Sequence, residues 1–310
     1  APEISQMFGE LVATWCIKAW QQMGEPEAFN LVELGPGRGI LMADLLRAAR
    51  SVPKFLKAAT ITLVESSPKM QQLQREKLGD QCLWASDISK IPTAPSIFIA
   101  NEFLDVLPFR QYVKHKSQWV ERAIGADAAF SKLEFAISSG GIDSHLLPEN
   151  SENEPDGAVF EIAPAREAIV QMVAEHIKEY EGAALFIDYG HTASGFGDTF
   201  QAILKHEFTD PLAAPGKADL TNHVDFFPLA KAAKTAGCHP FPVLTQGEFL
   251  LALGLLERAG ALGHGKDEAT HARIKSEAER LALPDEMGDL FKCLAFASTK
   301  MALPPFTIDD

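Results

Sequence analysis

The stretch Asn30-Leu31-Val32-Glu33-Leu34-Gly35-Pro36-Gly37-Arg38-Gly39 decides how the rest of the chain is read. An apolar run ends in an acid, and a loop with glycine at alternate positions follows. The next segment, Ile40-Leu41-Met42-Ala43-Asp44-Leu45-Leu46-Arg47-Ala48-Ala49, carries apolar residues at helical spacing. Strand, glycine loop, helix is the order in which a doubly wound sheet builds a nucleotide site. Glycine lets the backbone turn tightly and lets a ligand approach the peptide planes, and the helix start offers unpaired N–H groups. The dinucleotide fingerprint needs glycines at its first, third and sixth positions. Here the sixth is Ile40 and Gly39 falls at the fifth, which departs from the NAD pattern.

Working outward, four more strands end in polar groups. Ala59-Thr60-Ile61-Thr62-Leu63-Val64-Glu65 reads as a buried strand ending in an acid, followed by Ser67 as a helix N-cap and Pro68 at the first helical position. A carboxylate at Glu65 can accept both hydroxyls of a ribose, the other reading being a solvated strand end. Cys82-Leu83-Trp84 is a short third strand. The Asp87 that follows is open to two readings, an acceptor for an adenine amino group or a turn residue. Ser96-Ile97-Phe98-Ile99-Ala100 runs into Asn101-Glu102-Phe103-Leu104-Asp105-Val106-Leu107-Pro108, so Asn101, Glu102 and Asp105 cluster at the end of a central strand. Carboxylates are costly to bury there unless they bind something polar or cationic. Asp188 closes a further apolar run, Ala183–Ile187, with Tyr189 and His191 beside it; a single histidine is more often structural.

Elsewhere the spacing predicts an amphipathic helix over residues 2–23, either packed on the sheet or lying over a ligand. Alternation over 109–114, 118–123 and 133–137 predicts a small antiparallel patch. The acidic stretch 149–157 reads as a mobile, solvated loop. Helices are expected at 165–180, at 222–236 with Thr221 as cap, and near 246–262 and 267–282. Residues 192–219 read as a long functional loop, and 291–298 as a late strand at the sheet edge.

Composition removes several classes of function. The formal net charge of −14 over 310 residues, with no local basic patch, argues against a nucleic-acid partner and favours a basic one. Apolar residues make up 46% of the chain, enough for a sizeable core. No run of ~18 apolar residues suggests a membrane span. Cys16, Cys82, Cys238 and Cys293 lack metal-type pairing and read as reduced core thiols.

The glycine loop, acid-x-Gly-x-Gly-x-Gly, resembles the first motif of the S-adenosylmethionine (SAM) methyltransferases. Four longer blocks make the resemblance specific: Pro2–Glu10, Asn101–Pro108, Phe186–His191 and Ala218–Phe226. With the glycine loop they are similar to the signature blocks of the MidA-like family of SAM-dependent methyltransferases, which includes a mitochondrial arginine methyltransferase that assists assembly of respiratory complex I. The similarity runs from Pro2 to about Ala302. It implies an α/β, class I methyltransferase-like, doubly wound sheet, mostly parallel with an antiparallel edge strand. It further implies one domain over 1–310, with a β insertion near 109–160 and a helical insertion near 222–285. SAM is the implied cofactor, with Glu33, Gly35, Gly37, Gly39, Glu65 and Asp87 around it. Ser5 and Gln6 would close the pocket from the first helix, and Asn101 is assigned to the cofactor side. The family carries a further N-terminal segment, so the pocket floor or lid is expected to be incomplete here.

The implied acceptor is an arginine of a protein partner, such as a complex I subunit. Glu102 and Asp105 would hold the guanidinium, with Asp188 third. Other readings are a non-catalytic SAM-binding assembly chaperone, a small-molecule methyltransferase and an NAD-dependent oxidoreductase. The expected compartment is the cytoplasm of a bacterium, or the mitochondrial matrix in a eukaryote. No metal is expected, and the oligomeric state is open.

Overall fold

All six residues of the first strand, β1 (Phe29–Leu34), are buried, the polar Asn30 and Glu33 included, as befits a central strand covered on both faces. The computed structural model describes residues 1–204 and 207–307. Its first half runs α1 (Gln6–Gln22), β1, α2 (Ile40–Ala49), α3 (Pro53–Ala58), β2 (Ala59–Val64), α4 (Pro68–Leu78), β3 (Cys82–Ala85) and β4 (Ser96–Asn101). Four strands then form a separate antiparallel sheet: β5 (Arg110–His115), β6 (Gln118–Ala126), β7 (Leu133–Gly141) and β8 (Val159–Ile162). α5 (Pro164–Tyr180) returns the chain to the main sheet at β9 (Gly182–His191). Short strands β10 (Gln201–Leu204), β11 (Glu207–Thr209) and β12 (Asp219–Thr221) pair with one another. The rest comprises β13 (Val224–Asp225), α6 (Phe226–Thr235), β14 (His239–Pro240), β15 (Leu244–Thr245), α7 (Gln246–Ala252), α8 (Leu255–Gly263), α9 (Glu268–Ala282) and β16 (Phe291–Ala297).

The main sheet has the order β14-β16-β9-β4-β1-β2-β3. β3, β2, β1, β4 and β9 are parallel, and β16 runs antiparallel against β9. The class I α/β sheet with an antiparallel edge is therefore present. The order reverses at β1: β2 lies on one side of it and β4 on the other. A doubly wound sheet opens its ligand crevice at that reversal, beyond the carboxyl ends of the strands. Leu31, Leu63 and Ile97 face the layer of α1 and α2, against Phe8, Trp15 and Met42. Val32, Phe98 and Phe186 face α5 and α6, against Val170 and Phe226. All four cysteines are free and buried.

Several expectations need correction. α1 is buried nearly all round rather than on one stripe, because α2 and α8 pack on it as well as the sheet. The expected helix over 222–236 starts at Phe226, with Asp225 as its cap in place of Thr221. The stretch 246–262 is two helices, broken at Gly254, whose φ of 97° ends one and starts the next. The antiparallel patch has a fourth strand, β8, which pairs with β5. The acidic loop is pinned: Asp156 accepts from the backbone N–H groups of Lys116 and Ser117 at 2.9 and 3.0 Å, and Lys114 donates to the carbonyls of Ser151 and Glu152. The 192–219 stretch carries most of a three-stranded sheet; its Lys205 and His206 lie outside the described residues.

Candidate active site

The turn after β1 holds φ values of 59° at Gly35, 50° at Gly37 and 74° at Gly39, left-handed conformations that favour glycine. Two neighbours press on this loop. A Cβ on Gly35 would stand 2.5 Å from Phe103 Cδ2, and one on Gly39 would stand 3.2 Å from Leu78 Cδ1 of α4. A Cβ on Gly37 would meet nothing within 4 Å, so that side of the loop is open.

Glu33 is the penultimate residue of β1, on the face shared with Leu31, toward α1. It is 3% exposed, and its Oε2 has no hydrogen-bond partner among the described residues. Burial pushes its pKa up to about 8. A buried acceptor without a donor is costly, and a cationic donor entering the crevice would relieve it. Glu65 follows β2. Its Oε1 accepts from the Ser67 N–H at 2.8 Å and its Oε2 from Gln74 Nε2 at 3.3 Å. Gln74, on α4, also donates to the Gly37 carbonyl at 2.8 Å and accepts from Trp84 Nε1 at 2.8 Å. One fully buried amide thus ties the glycine loop, the second strand's acid and β3 together. Nothing in the sequence singles out Gln74, because it sits in the polar run Gln71-Gln72-Leu73-Gln74.

The other cofactor candidates are placed differently. Ser5 caps α1, accepting from the Met7 N–H. The turn before it meets the glycine loop where Arg38 donates to Glu3 at 3.5 Å, and Gln6 is exposed. Asp87 accepts from both hydroxyls and the backbone of its own turn, at Ser86 and Ser89, so here it acts as a turn residue. Those hydrogen bonds, from Ser89 first, hold its carboxyl below the usual range.

Beyond β4 the chain makes a tight polar turn. Glu102 adopts φ 49°, is exposed, and accepts at Oε1 from the Ala1 nitrogen at 2.7 Å and from Asn101 Nδ2 at 3.2 Å. Asp105 is 5% exposed; its Oδ2 accepts from the Tyr189 hydroxyl at 2.9 Å, and its Oδ1 has no partner among the described residues. Burial raises the pKa of Asp105, Glu102 adds to the rise, and the Tyr189 hydrogen bond opposes it. Asp188 turns inward instead. Its Oδ2 accepts from the N–H groups of Leu104 and Asp105 at 2.9 and 3.2 Å, and its Oδ1 from its neighbour Tyr189 at 3.0 Å. With both oxygens occupied and 1% exposure, it fixes the turn that carries Asp105.

Arg166 of α5, 2% exposed, clamps two loops. It donates through Nε to the Leu104 carbonyl at 2.7 Å, through Nη1 to the His223 carbonyl at 2.9 Å, and through Nη2 to the Asp105 carbonyl at 3.2 Å and to Asn222. Burial lowers its pKa, and Asp188 and Asp105 oppose that. Phe103, Gln74 and Arg166 are the site residues that sequence reasoning missed. An apolar groove of about 500 Å³ between α8 and α9, lined by Leu251, Leu255, Ile274 and Ala278, shares no residue with this crevice.

The strand-end acids, the open glycine turn and the orphaned Glu33 Oε2 fit a nucleotide carrying a cationic amine. Residues 11–243 match the family model described as "Putative S-adenosyl-L-methionine-dependent methyltransferase". The chain belongs to this family. Among curated proteins it is 35% identical to "Protein arginine methyltransferase NDUFAF7, mitochondrial" of Xenopus tropicalis, over 98% of this chain and 77% of that protein. It is 33% identical to the Homo sapiens protein of the same name, over 95% and 72%. Among solved structures, a Burkholderia thailandensis protein bound to S-adenosyl-homocysteine superposes with a TM-score of 0.83 at 27% identity. That superposition covers 97% of this chain and 79% of the other. The protein is thus a SAM-dependent methyltransferase, and SAM is its methyl donor. The NAD-dependent alternative is overturned by the family match and by this superposition.

Proposed function

We propose that the chain transfers the methyl group of SAM to an arginine side chain of a protein partner, such as a respiratory complex I subunit. The observation that carries this reading is the pair Glu102 and Asp105, on one turn whose intervening Phe103 packs on the cofactor loop at Gly35. The curated relatives are protein arginine methyltransferases by name, which supports the same acceptor.

When bound, SAM supplies a methyl group activated by a sulfonium, so the chain's residues are needed mainly for positioning. Glu33 and Glu65 would hold its amino and ribose ends, the loop from Gly35 to Gly39 would leave room for its backbone-facing side, and Asn101 would face it from the end of β4. Ser5, Gln6 and Asp87 would lie at its margin. Glu102, exposed and with its Oε1 already accepting from Ala1 and Asn101, would offer Oε2 to the guanidinium first, and Asp105 Oδ1 would take a second N–H from inside the crevice. A guanidinium cannot be deprotonated in solution at neutral pH, so these carboxylates serve to draw charge away from the attacking nitrogen. The net charge of −14 suits a basic partner surface. The fitting compartment is the mitochondrial matrix for a eukaryotic copy and the cytoplasm for a bacterial one.

Incubating the full chain with methyl-labelled SAM and arginine-containing partner proteins, followed by acid hydrolysis, tests the reading. Label recovered as methylarginine supports it. SAM binding with no transferred label would leave an assembly chaperone, and label on a small molecule would move the acceptor class.

A further inference from the structure

The block Ala218–Phe226 contributes Asn222 to the Arg166 clamp, but its histidine has no part in the chemistry described so far. His223 is half-buried and held at both backbone ends: its N–H donates to Thr199 Oγ1 at 3.0 Å and its carbonyl accepts from Arg166 Nη1 at 2.9 Å. Its ring stands edge-on to the Tyr189 ring, with centroids 5.5 Å apart at 86°. Tyr189 in turn donates its hydroxyl to Asp105 Oδ2. No ring nitrogen of His223 has a hydrogen-bond or ion-pair partner among the described residues.

We propose that His223 is the proton acceptor of the transfer step, and that Tyr189 is a positioning residue set between it and Asp105. This rests on the arginine reading above. As the acceptor nitrogen bonds to the methyl carbon, the carbon–sulfur bond breaks and its electron pair stays on sulfur. One positive charge remains on the methylated guanidinium, so one N–H proton must leave. The neutral His223 imidazole takes it, becomes imidazolium, and passes it to solvent from its exposed side. Asp105 is less suited to that task, since it is needed as an anion to hold the guanidinium and one of its oxygens already accepts from Tyr189.

The surroundings keep the ring neutral. Burial lowers its pKa first; His191, Lys292 and Arg166 lower it further, and Glu161 opposes them. Among the described residues, Tyr189 also faces the ring and carries the contact on to Asp105. An imidazole below its ordinary pKa is free to accept a proton at neutral pH.

The test follows the ring itself. Uniformly carbon- and nitrogen-labelled full chain, saturated with S-adenosyl-homocysteine, is titrated by NMR with and without an acetylated, amidated Gly-Arg-Gly peptide; the H223Q spectrum assigns the ring resonance, and backbone resonances report on the Asn101–Pro108 turn. His223 should titrate below its ordinary range and shift lower still as the guanidinium arrives, and D105N should abolish that second shift. Peptide-induced shifts at the Asn101–Pro108 turn that leave His223 unmoved would overturn the proposal while the arginine reading stands. A peptide that moves no resonance would overturn both. In single-turnover assays H223Q should slow transfer by about 10²-fold with SAM affinity unchanged, and free imidazole should restore part of the rate to H223G. Undiminished transfer by H223Q, or loss without imidazole rescue, would overturn the assignment. Y189F should lower the rate and move its pH profile, whereas a packing role alone would leave the profile in place.

Discussion

Phe103 lies against Gly35 so closely that a Cβ on the glycine would stand 2.5 Å from the ring. The turn after β4 and the glycine loop are therefore in direct contact, and the ring links them. G35A forces a methyl group into that contact and places alanine at φ 59°, at a backbone cost of about 1–2 kcal/mol. We expect SAM affinity to fall at least ~10-fold by calorimetry. The double variant G35A/F103A should recover only part of it, because the backbone cost remains. Full recovery would mean that the dihedral costs nothing.

G37V is expected to act differently. No protein atom lies within 4 Å of a Cβ there, so the branched side chain would project into the open crevice, at the backbone cost of a side chain at φ 50°. SAM binding should be lost while far-UV circular dichroism stays native. Wild-type affinity would refute the placement of the cofactor along this loop.

Glu33 predicts an unusual pH response of the ligand-free protein. Its folded pKa, about 8, exceeds the ordinary 4.5. The folded state thus binds the proton more tightly, and stability falls as pH rises from about 4.5 to 8. E33Q removes this term and should be more stable than wild type at pH 8, by on the order of a few kcal/mol, with little difference near pH 4.5. Thermal melts at the two ends would check it. The same variant should bind SAM more weakly; equal affinity would remove Glu33 from the cofactor site.

Glu10 should show the opposite trend. It accepts from Arg47 Nη1 at 2.5 Å and from Arg258 Nε at 2.6 Å, joining α1 to α2 and α8. Burial would raise its pKa, but the two arginines hold it below 4.5. Its contribution is present above that value and lost as pH falls through the folded pKa. E10Q should cost about 1–2 kcal/mol at pH 7, measured by urea melts, with the gap to wild type closing in acid.

Gln74 carries three contacts, to the Gly37 carbonyl, Glu65 Oε2 and the Trp84 indole. Q74L frees the Gly37 carbonyl and Glu65 Oε2 together and leaves the Trp84 indole N–H unpaired. A loss of roughly 1–3 kcal/mol is expected from the buried groups left without partners, together with weaker SAM binding. Stability with undiminished SAM affinity would show that the bridge serves packing alone.

What the sequence disclosed, and what it hid, follow from how each signal is encoded. β1, the glycine loop and α2 are written in contiguous residues whose period changes at the loop, so local pattern suffices. β16 was legible as an apolar run, and its antiparallel pairing with β9 matches the family resemblance. Gln74, Phe103 and Arg166 act across 37, 68 and 62 positions to Gly37, Gly35 and Leu104, and no local pattern marks a side chain whose partner is that distant. The one-sided reading of α1 failed for a related reason: the helix that covers its outer side, α8, lies more than 200 residues downstream. Asp188 looked like a free strand-end acid, and only the fold brings two backbone N–H groups of another loop onto it.

Arg166 has a consequence for anyone hoping to change what the enzyme modifies. Because one guanidinium fastens the carbonyls of Leu104 and Asp105 to those of Asn222 and His223, the two segments form a single inheritable cassette. Grafting 101–108 from a relative with another acceptor, without its counterpart to 221–225, would transplant half a mould. A chimaera has to carry both pieces, and the arginine that marries them.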